Sequence, residues 1–283
     1  MIDAALVLEG GALRSVFTAG VLDIFMSNNL YFKRVLGVSA GALTAANYIS
    51  KQPGRSAHIN LEHTKDVNYY GLLCLLKKRS IFNFDFIFDK PINELIPFDE
   101  KTFLNSQQQF IAVATDCKTG EARYLEEKSY HSLILALRAS SSMPFLSPKV
   151  IIGDDIFLDG GISDPVPIKK AQEKNSKIVV VLTREYGFRM HKPLYAFSKL
   201  LSVVYHDYPL LSNKLVHISD TYNSCMDYLD HLEKENMIFV IRPKYPVNVS
   251  RAEKDRRKLL SLYEEGVNET EHLMDSLIDY LNS

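Results

Sequence analysis

The stretch Gly37-Val38-Ser39-Ala40-Gly41 sets a serine between two glycines, and Glu9-Gly10-Gly11-Ala12-Leu13-Arg14 lies upstream of it. A serine hydroxyl is a weak nucleophile until a neighbouring base takes its proton. Its attack on an acyl carbonyl builds negative charge on oxygen, and one aimed donor stabilises that charge by about 3 kcal/mol. Ser39 supplies a hydroxyl. Gly10 and Gly11 let backbone N–H groups point outward at the start of a helix, where the dipole favours an anion. The two clusters together point to acyl transfer through a serine.

Both clusters need elements to carry them. Ala4 to Leu8 is a short continuous apolar run that feeds the first glycine cluster, as a buried strand would. Val16 to Met26 reads as an amphipathic helix ending at Asn28-Asn29. Val35 to Val38 is a second buried strand that runs into Ser39, and Ala40 to Ile49 reads as helix, stopped by Gln52-Pro53-Gly54. Strand, sharp turn and helix are the context a nucleophile elbow requires. Alternating strands and helices predict a parallel sheet with helices on both faces, and the two turns then open on the same sheet edge. Further strands are expected at Phe110–Ala114, Ala122–Leu125, Lys149–Ile152, Ile156–Leu158, Ile178–Leu182 and Met237–Ile241. Short helices are expected at Leu133–Arg138 and Ile168–Gln172, one helical stretch at Leu194–Leu211, and a long charged helix at Val249–Leu281. Residues 1–248 read as the catalytic domain and 249–283 as a helical extension packed on it.

Two kinds of base could serve Ser39. His191, His206, His217, His231 and His272 all lie downstream, none in a glycine-flanked context. Asp159 closes the apolar run Phe157-Leu158 and opens the turn Gly160-Gly161, a strand-end position suited to reaching a neighbouring loop. Alone, such an Asp-Gly turn is ordinary strand-end chemistry. Ser39, taken alone, could equally be a structural helix N-cap.

Taken together, the motifs resemble the patatin-like phospholipase family. The glycine loop with Arg14, the Gly37–Gly41 elbow, the segment Arg138-Ala139-Ser140-Ser141-Ser142-Met143-Pro144-Phe145, and Asp159-Gly160-Gly161 with Asp164-Pro165-Val166-Pro167 follow the family's order. The similarity runs from about residue 5 to residue 182 and is nearest the bacterial stand-alone branch. It implies a three-layer α/β/α sandwich with a mainly parallel central sheet, and a Ser39–Asp159 dyad in which Asp159 is the base. It also implies an oxyanion hole from the Gly10, Gly11 and Ala12 amides, with Arg14 binding substrate. No metal or other cofactor is implied, and the substrate is an acyl lipid. The family commonly has glycine where Ala12 and Ser15 stand, and a left-handed φ at Ala12 would be strained. The alternatives are an esterase or thioesterase for soluble acyl donors, and a lipid-binding regulatory protein with little turnover.

Composition bounds the rest. The chain has 283 residues, 46% hydrophobic and 24% charged, with a formal net charge of −1. That suits a globular fold with a substantial core and offers no global field to recruit nucleic acid. Three widely spaced cysteines, Cys74, Cys117 and Cys225, form no C-x-x-C pair, which favours reduced thiols and a cytoplasmic protein. Met1-Ile2-Asp3 and the apolar run after it read as a first strand rather than a signal peptide. No stretch reaches the roughly 18 apolar residues of a membrane span, so any membrane contact is expected to be peripheral. The aromatic run Ile81–Asp89 and the basic triplet Lys77-Lys78-Arg79 are candidates for touching lipid, although packing is the simpler role for the first. Oligomeric state has no signature here.

Overall fold

A computed structural model describes residues 1–63, 74, 80, 83, 96–126, 129–192 and 195–283. Its centre is a sheet in the order β5-β6-β3-β2-β1-β7-β8, with β4 added to β3. The strands are β1 (Ile2–Leu8), β2 (Phe32–Val38), β3 (Gln109–Asp116), β4 (Ala122–Leu125), β5 (Val150–Ile152), β6 (Asp155–Asp159), β7 (Ile178–Val181) and β8 (Phe239–Ile241). The contiguous run β3-β2-β1-β7-β8 is parallel, while β4, β5 and β6 pair antiparallel at the β3 side.

The middle strands are apolar on both sides because both sides are covered. In β1, Ala4, Leu6 and Leu8 enter one apolar layer, and Ala5 and Val7 enter the other. The first layer holds α1 (Val16–Ser27), α2 (Ala40–Ile49) and α5 (Tyr130–Ser141), together with the long C-terminal α10 (Arg256–Asn282). The second holds α6 (Ile168–Gln172) and α9 (Ile218–Lys234). The architecture is therefore the three-layer α/β/α sandwich. Helices α3 (Arg55–Glu62), α4 (Glu100–Leu104), α7 (Tyr195–Val204) and α8 (Pro209–Val216) complete the described set. The α1–α10 crossing is close because Gly20 and Gly266 face each other's helix: a Cβ at Gly20 would strike the Tyr263 carbonyl, and one at Gly266 the Phe17 carbonyl.

Several elements differ from the sequence reading, which includes neither α3 nor α4. The described part of the stretch expected as one helix at Leu194–Leu211 is two helices, because Pro209 starts α8 and holds Tyr208 out of helical geometry at φ −131, ψ 68. The last helix begins at Arg256, where the Asp255 carboxylate accepts the Arg257 N–H at 3.0 Å as an N-cap. The sequence reading passed over α9, although its buried Tyr222, Met226, Leu229 and Leu232 recur at helical spacing. Its other face is charged, which lowers the local apolar signal.

Candidate active site

The edge at the C-terminal ends of β1 and β2 gathers the sequence-predicted residues. Ser39 follows β2 at φ 54, ψ −125, a conformation that costs a non-glycine residue of order 1–3 kcal/mol. The turn is that sharp because α2 starts hard against β1: a Cβ at Gly41 would lie 2.6 Å from the carbonyl oxygens of both Leu8 and Glu9. Although Ser39 occupies the N-cap position of α2, its hydroxyl makes no capping bond. It lies instead close enough to the Asp159 carboxylate to favour that acid's charged form. The Ser39 N–H donates to Ser140 Oγ at 2.8 Å, which ties the turn to the last turn of α5.

Asp159 arrives from further away. In the sheet it pairs with Ala114 of β3, one strand removed from β2. The following glycines carry the chain across that gap. Gly160 sits on the Val113 carbonyl so tightly that a Cβ would collide with it, and a Cβ at Gly161 would come 3.9 Å from Val38. Backbone and side chain are then pinned. The Asp159 N–H donates to the Ser142 carbonyl at 2.8 Å, and its carbonyl accepts from Thr115 Oγ1 at 2.8 Å. The Gly161 N–H donates to Asp159 Oδ1 at 2.8 Å. Burial raises the Asp159 pKa above the usual carboxylate value, against the nearby Ser39 hydroxyl, the hydrogen bond from Gly161 and the charge of Arg251. Ser39 is 9% exposed and Asp159 8%, so the pair is sheltered.

The glycine loop borders the same serine. A Cβ on Gly10 would lie 3.0 Å from Ser39 Cβ, and one on Gly11 would lie 2.7 Å from Thr183 Oγ1. The Gly10 and Gly11 amides have no acceptor among the described residues. Ala12 adopts φ 51, the left-handed geometry that glycine would take at less cost. Ser15 holds that strained residue by donating to the Ala12 carbonyl at 2.7 Å. The position that departs from the family's glycine therefore braces the loop.

Under the loop lies a charged layer that sequence reasoning left unassigned apart from Arg14. Glu9 is buried and accepts from the Thr183 N–H at 2.5 Å, Thr183 Oγ1 at 2.9 Å and the Tyr222 hydroxyl at 3.0 Å. Arg14 is also buried, and its Nε has no hydrogen-bond partner. Burial and then Arg184 push its pKa down to about 10, against the attraction of Glu9, so it stays charged at neutral pH.

The sequence assigns Ser140 and Ser142 no part beyond their place in the small-residue segment. Ser140 lies within α5 and Ser142 is its C-cap, and each makes one of the bonds that fix the pair. Their only sequence signal was the small-residue segment itself. His191, His206, His217, His231 and His272 are all exposed, and the ring nitrogens of His206 and His217 meet carbonyls of Val203 and Asn213. Lys77–Arg79 and nearly all of Ile81–Asp89 lie outside the described residues. A polar cleft of about 680 Å³ opens between Met1, Tyr31 and Gln108, at the N-terminal strand ends and thus across the sheet from Ser39.

Comparison with known proteins shows what this chain is similar to. The family model described as patatin-like phospholipase matches residues 6–171, more than half of the chain. A second model, for a domain of unknown function, matches residues 208–282. The uncharacterized protein YjjU of Escherichia coli K12 is 28% identical over 251 residues, covering 86% of this chain and 69% of that protein. Among solved structures, VipD of Legionella pneumophila is matched at 12% identity with a TM-score of 0.49, over 98% of this chain and 67% of that one. The chain belongs to the patatin-like phospholipase family.

Proposed function

We propose that this protein is a serine hydrolase of acyl lipids, with Ser39 as nucleophile and Asp159 as its base. The observation that carries the reading is the approach of the Ser39 hydroxyl to the Asp159 carboxylate, at a serine in a strained turn that makes no capping bond. Ser39 Oγ attacks the ester carbonyl carbon while its proton passes to Asp159. The oxyanion forms against the amides of Gly10, Gly11 and Ala12. When the intermediate collapses, Asp159 returns the proton to the departing alkoxide and an acyl-serine remains. Water then attacks, giving its proton to Asp159, and the second collapse releases the fatty acid and restores Ser39. Arg14, charged and short of partners beside the loop, attracts the anionic part of the substrate. In this reading residues 1–248 do the chemistry, and the C-terminal helix supports them by packing on α1.

Sequestration of the dyad also favours a substrate with a slender acyl chain. Purified protein should hydrolyse aryl esters and phospholipid vesicles, with activity rising along an aryl ester series as the acyl chain lengthens. Ser39→Ala and Asp159→Asn should each lower kcat by roughly 10⁴, the scale of removing one member of a nucleophile–base unit. Folded variants that retain wild-type activity would remove the dyad. A preference for short, soluble acyl donors would replace the lipid by a general ester or thioester.

A further inference from the structure

Helix α7 carries apolar residues on two sides, and α8 adds one exposed leucine to the outer one. On the inner side, Leu201 and Tyr205, then Leu211 and Leu215, are buried against Leu158 and Ile162, which bracket the Asp159 turn. On the outer side of α7, Leu200, Val203 and Val204 are 49%, 63% and 48% exposed, and Leu210 of α8 is 58% exposed. Spacings of three and four residues place the α7 trio on one stripe. A surface helix normally turns charged or polar residues to water on that side. Here the water side is aliphatic.

The surroundings select an occupant. Phe145, 38% exposed, lies beside this helix pair, with its ring edge-on to Tyr205 at 5.4 Å and its N–H donating to the Tyr205 hydroxyl at 3.2 Å. It stands at φ 64, a strained geometry for a bulky residue. Phe145 is three residues from Ser142, whose carbonyl holds the Asp159 N–H, so the inner side of the helix pair borders the support of the proposed base. Lys199 is exposed next to the stripe, and the exposed Lys149 carries its ammonium 4.3 Å over the Tyr208 ring. Asp207, the nearest acid in sequence, faces the His206 ring at 3.0 Å. Aliphatic residues bordered by aromatic rings and lysines match the layering of a membrane interface, apolar below and anionic above.

We propose that the outer stripe of α7, with Leu210 of α8, is the surface on which this protein seats against a lipid bilayer. The proposal deepens the lipid-hydrolase reading and rests on it for the choice of a bilayer. Seated this way, the chain would hold Asp159 about one helix diameter, roughly 10 Å, from the acyl region. No helix among the described residues is long and apolar enough to cross a membrane, so this seating is in the interface.

The sequence contains no tryptophan, so Val203→Trp introduces a unique fluorophore at the centre of the stripe. Combined with Ser39→Ala, it can be mixed with vesicles of phosphatidylcholine and phosphatidylglycerol without consuming them. A blue shift of the emission, with quenching by lipids brominated along the acyl chain, is the expected result. In the Ser39→Ala background, Leu200→Glu with Val203→Glu should weaken co-sedimentation with the same vesicles at least tenfold. With Ser39 intact, that double change should leave hydrolysis of a short soluble aryl ester unaltered. Unchanged emission, equal sedimentation of both proteins, or light scattering that shows the double change splitting a dimer would each overturn the proposal. Vesicle binding is read without turnover, so a protein that binds through this face and cleaves no ester would sink the hydrolase reading and leave the surface standing.

Discussion

The two halves of the proposed dyad are held in opposite ways. Ser39 is placed by its own neighbourhood: a strand before it, a helix after it, and Gly41 pressed against the end of β1. Asp159 is placed by distant segments: β3 through Thr115, the end of α5 through Ser142, and the Val113 carbonyl beneath Gly160. A locally held nucleophile leaves a motif in the sequence. A base held by tertiary contacts leaves only an aspartate and two glycines, which are ordinary until the fold brings them to the serine.

The sharpest way to separate the halves is through charge. Asp159→Asn should cost roughly 10⁴ in kcat, yet it should not cost stability. A carboxyl whose folded pKa exceeds its unfolded one binds its proton more tightly in the fold, so the fold loses stability as pH rises through that interval. Asp159 must be ionised to act as a base, and holding it so in a buried site costs stability, so thermal unfolding of Asp159→Asn should give a Tm at or above wild type. For the same reason the acid limb of kcat/KM should fall at a pH above the ordinary aspartate value of about 3.9. A limb at or below that value, or a clear drop in Tm, would separate Asp159 from the role of buried base.

A smaller effect tests the crossing that delivers Asp159. Gly160→Ala drives a methyl into the Val113 carbonyl, which is backbone and can yield only by moving β3. Overpacking of this kind costs about 1–3 kcal/mol, and activity should fall with it because the displaced residue is next to the base. If urea melts showed Gly160→Ala as stable as wild type with full activity, the crossing would not position Asp159.

The smallest effect lies in the loop beside the nucleophile. Ala12→Gly removes the left-handed penalty at φ 51, worth about 1–2 kcal/mol, partly offset by the greater freedom glycine has when unfolded. The expected gain is under about 1 kcal/mol, with unchanged kcat, because the bond from Ser15 already fixes the loop. A several-fold rise in kcat would instead mean that alanine misplaces the oxyanion donors.

The sandwich was legible because buried parallel strands write themselves as short apolar runs ending in glycine turns, as Ala4–Leu8 and Val35–Val38 do. The elbow was legible for the same local reason. The layer formed by Glu9, Thr183 and Tyr222 was not, because its members are far apart in sequence and each is common alone. The parts of Ser140 and Ser142 were hidden too, since a hydroxyl and a carbonyl that each bind one backbone group leave no spacing to read. The outer face of α7 was hidden by its own composition, since an apolar run reads as core whether one side or both are covered.

The most direct test of the dyad is the rate of covalent labelling by a fluorophosphonate, with the adduct mapped by peptide mass spectrometry. The geometry predicts modification confined to Ser39 in the wild type, lost in Ser39→Ala and slowed by orders of magnitude in folded Asp159→Asn. Labelling of Ser39 at an undiminished rate in Asp159→Asn would contradict the assignment of Asp159 as the base that activates it.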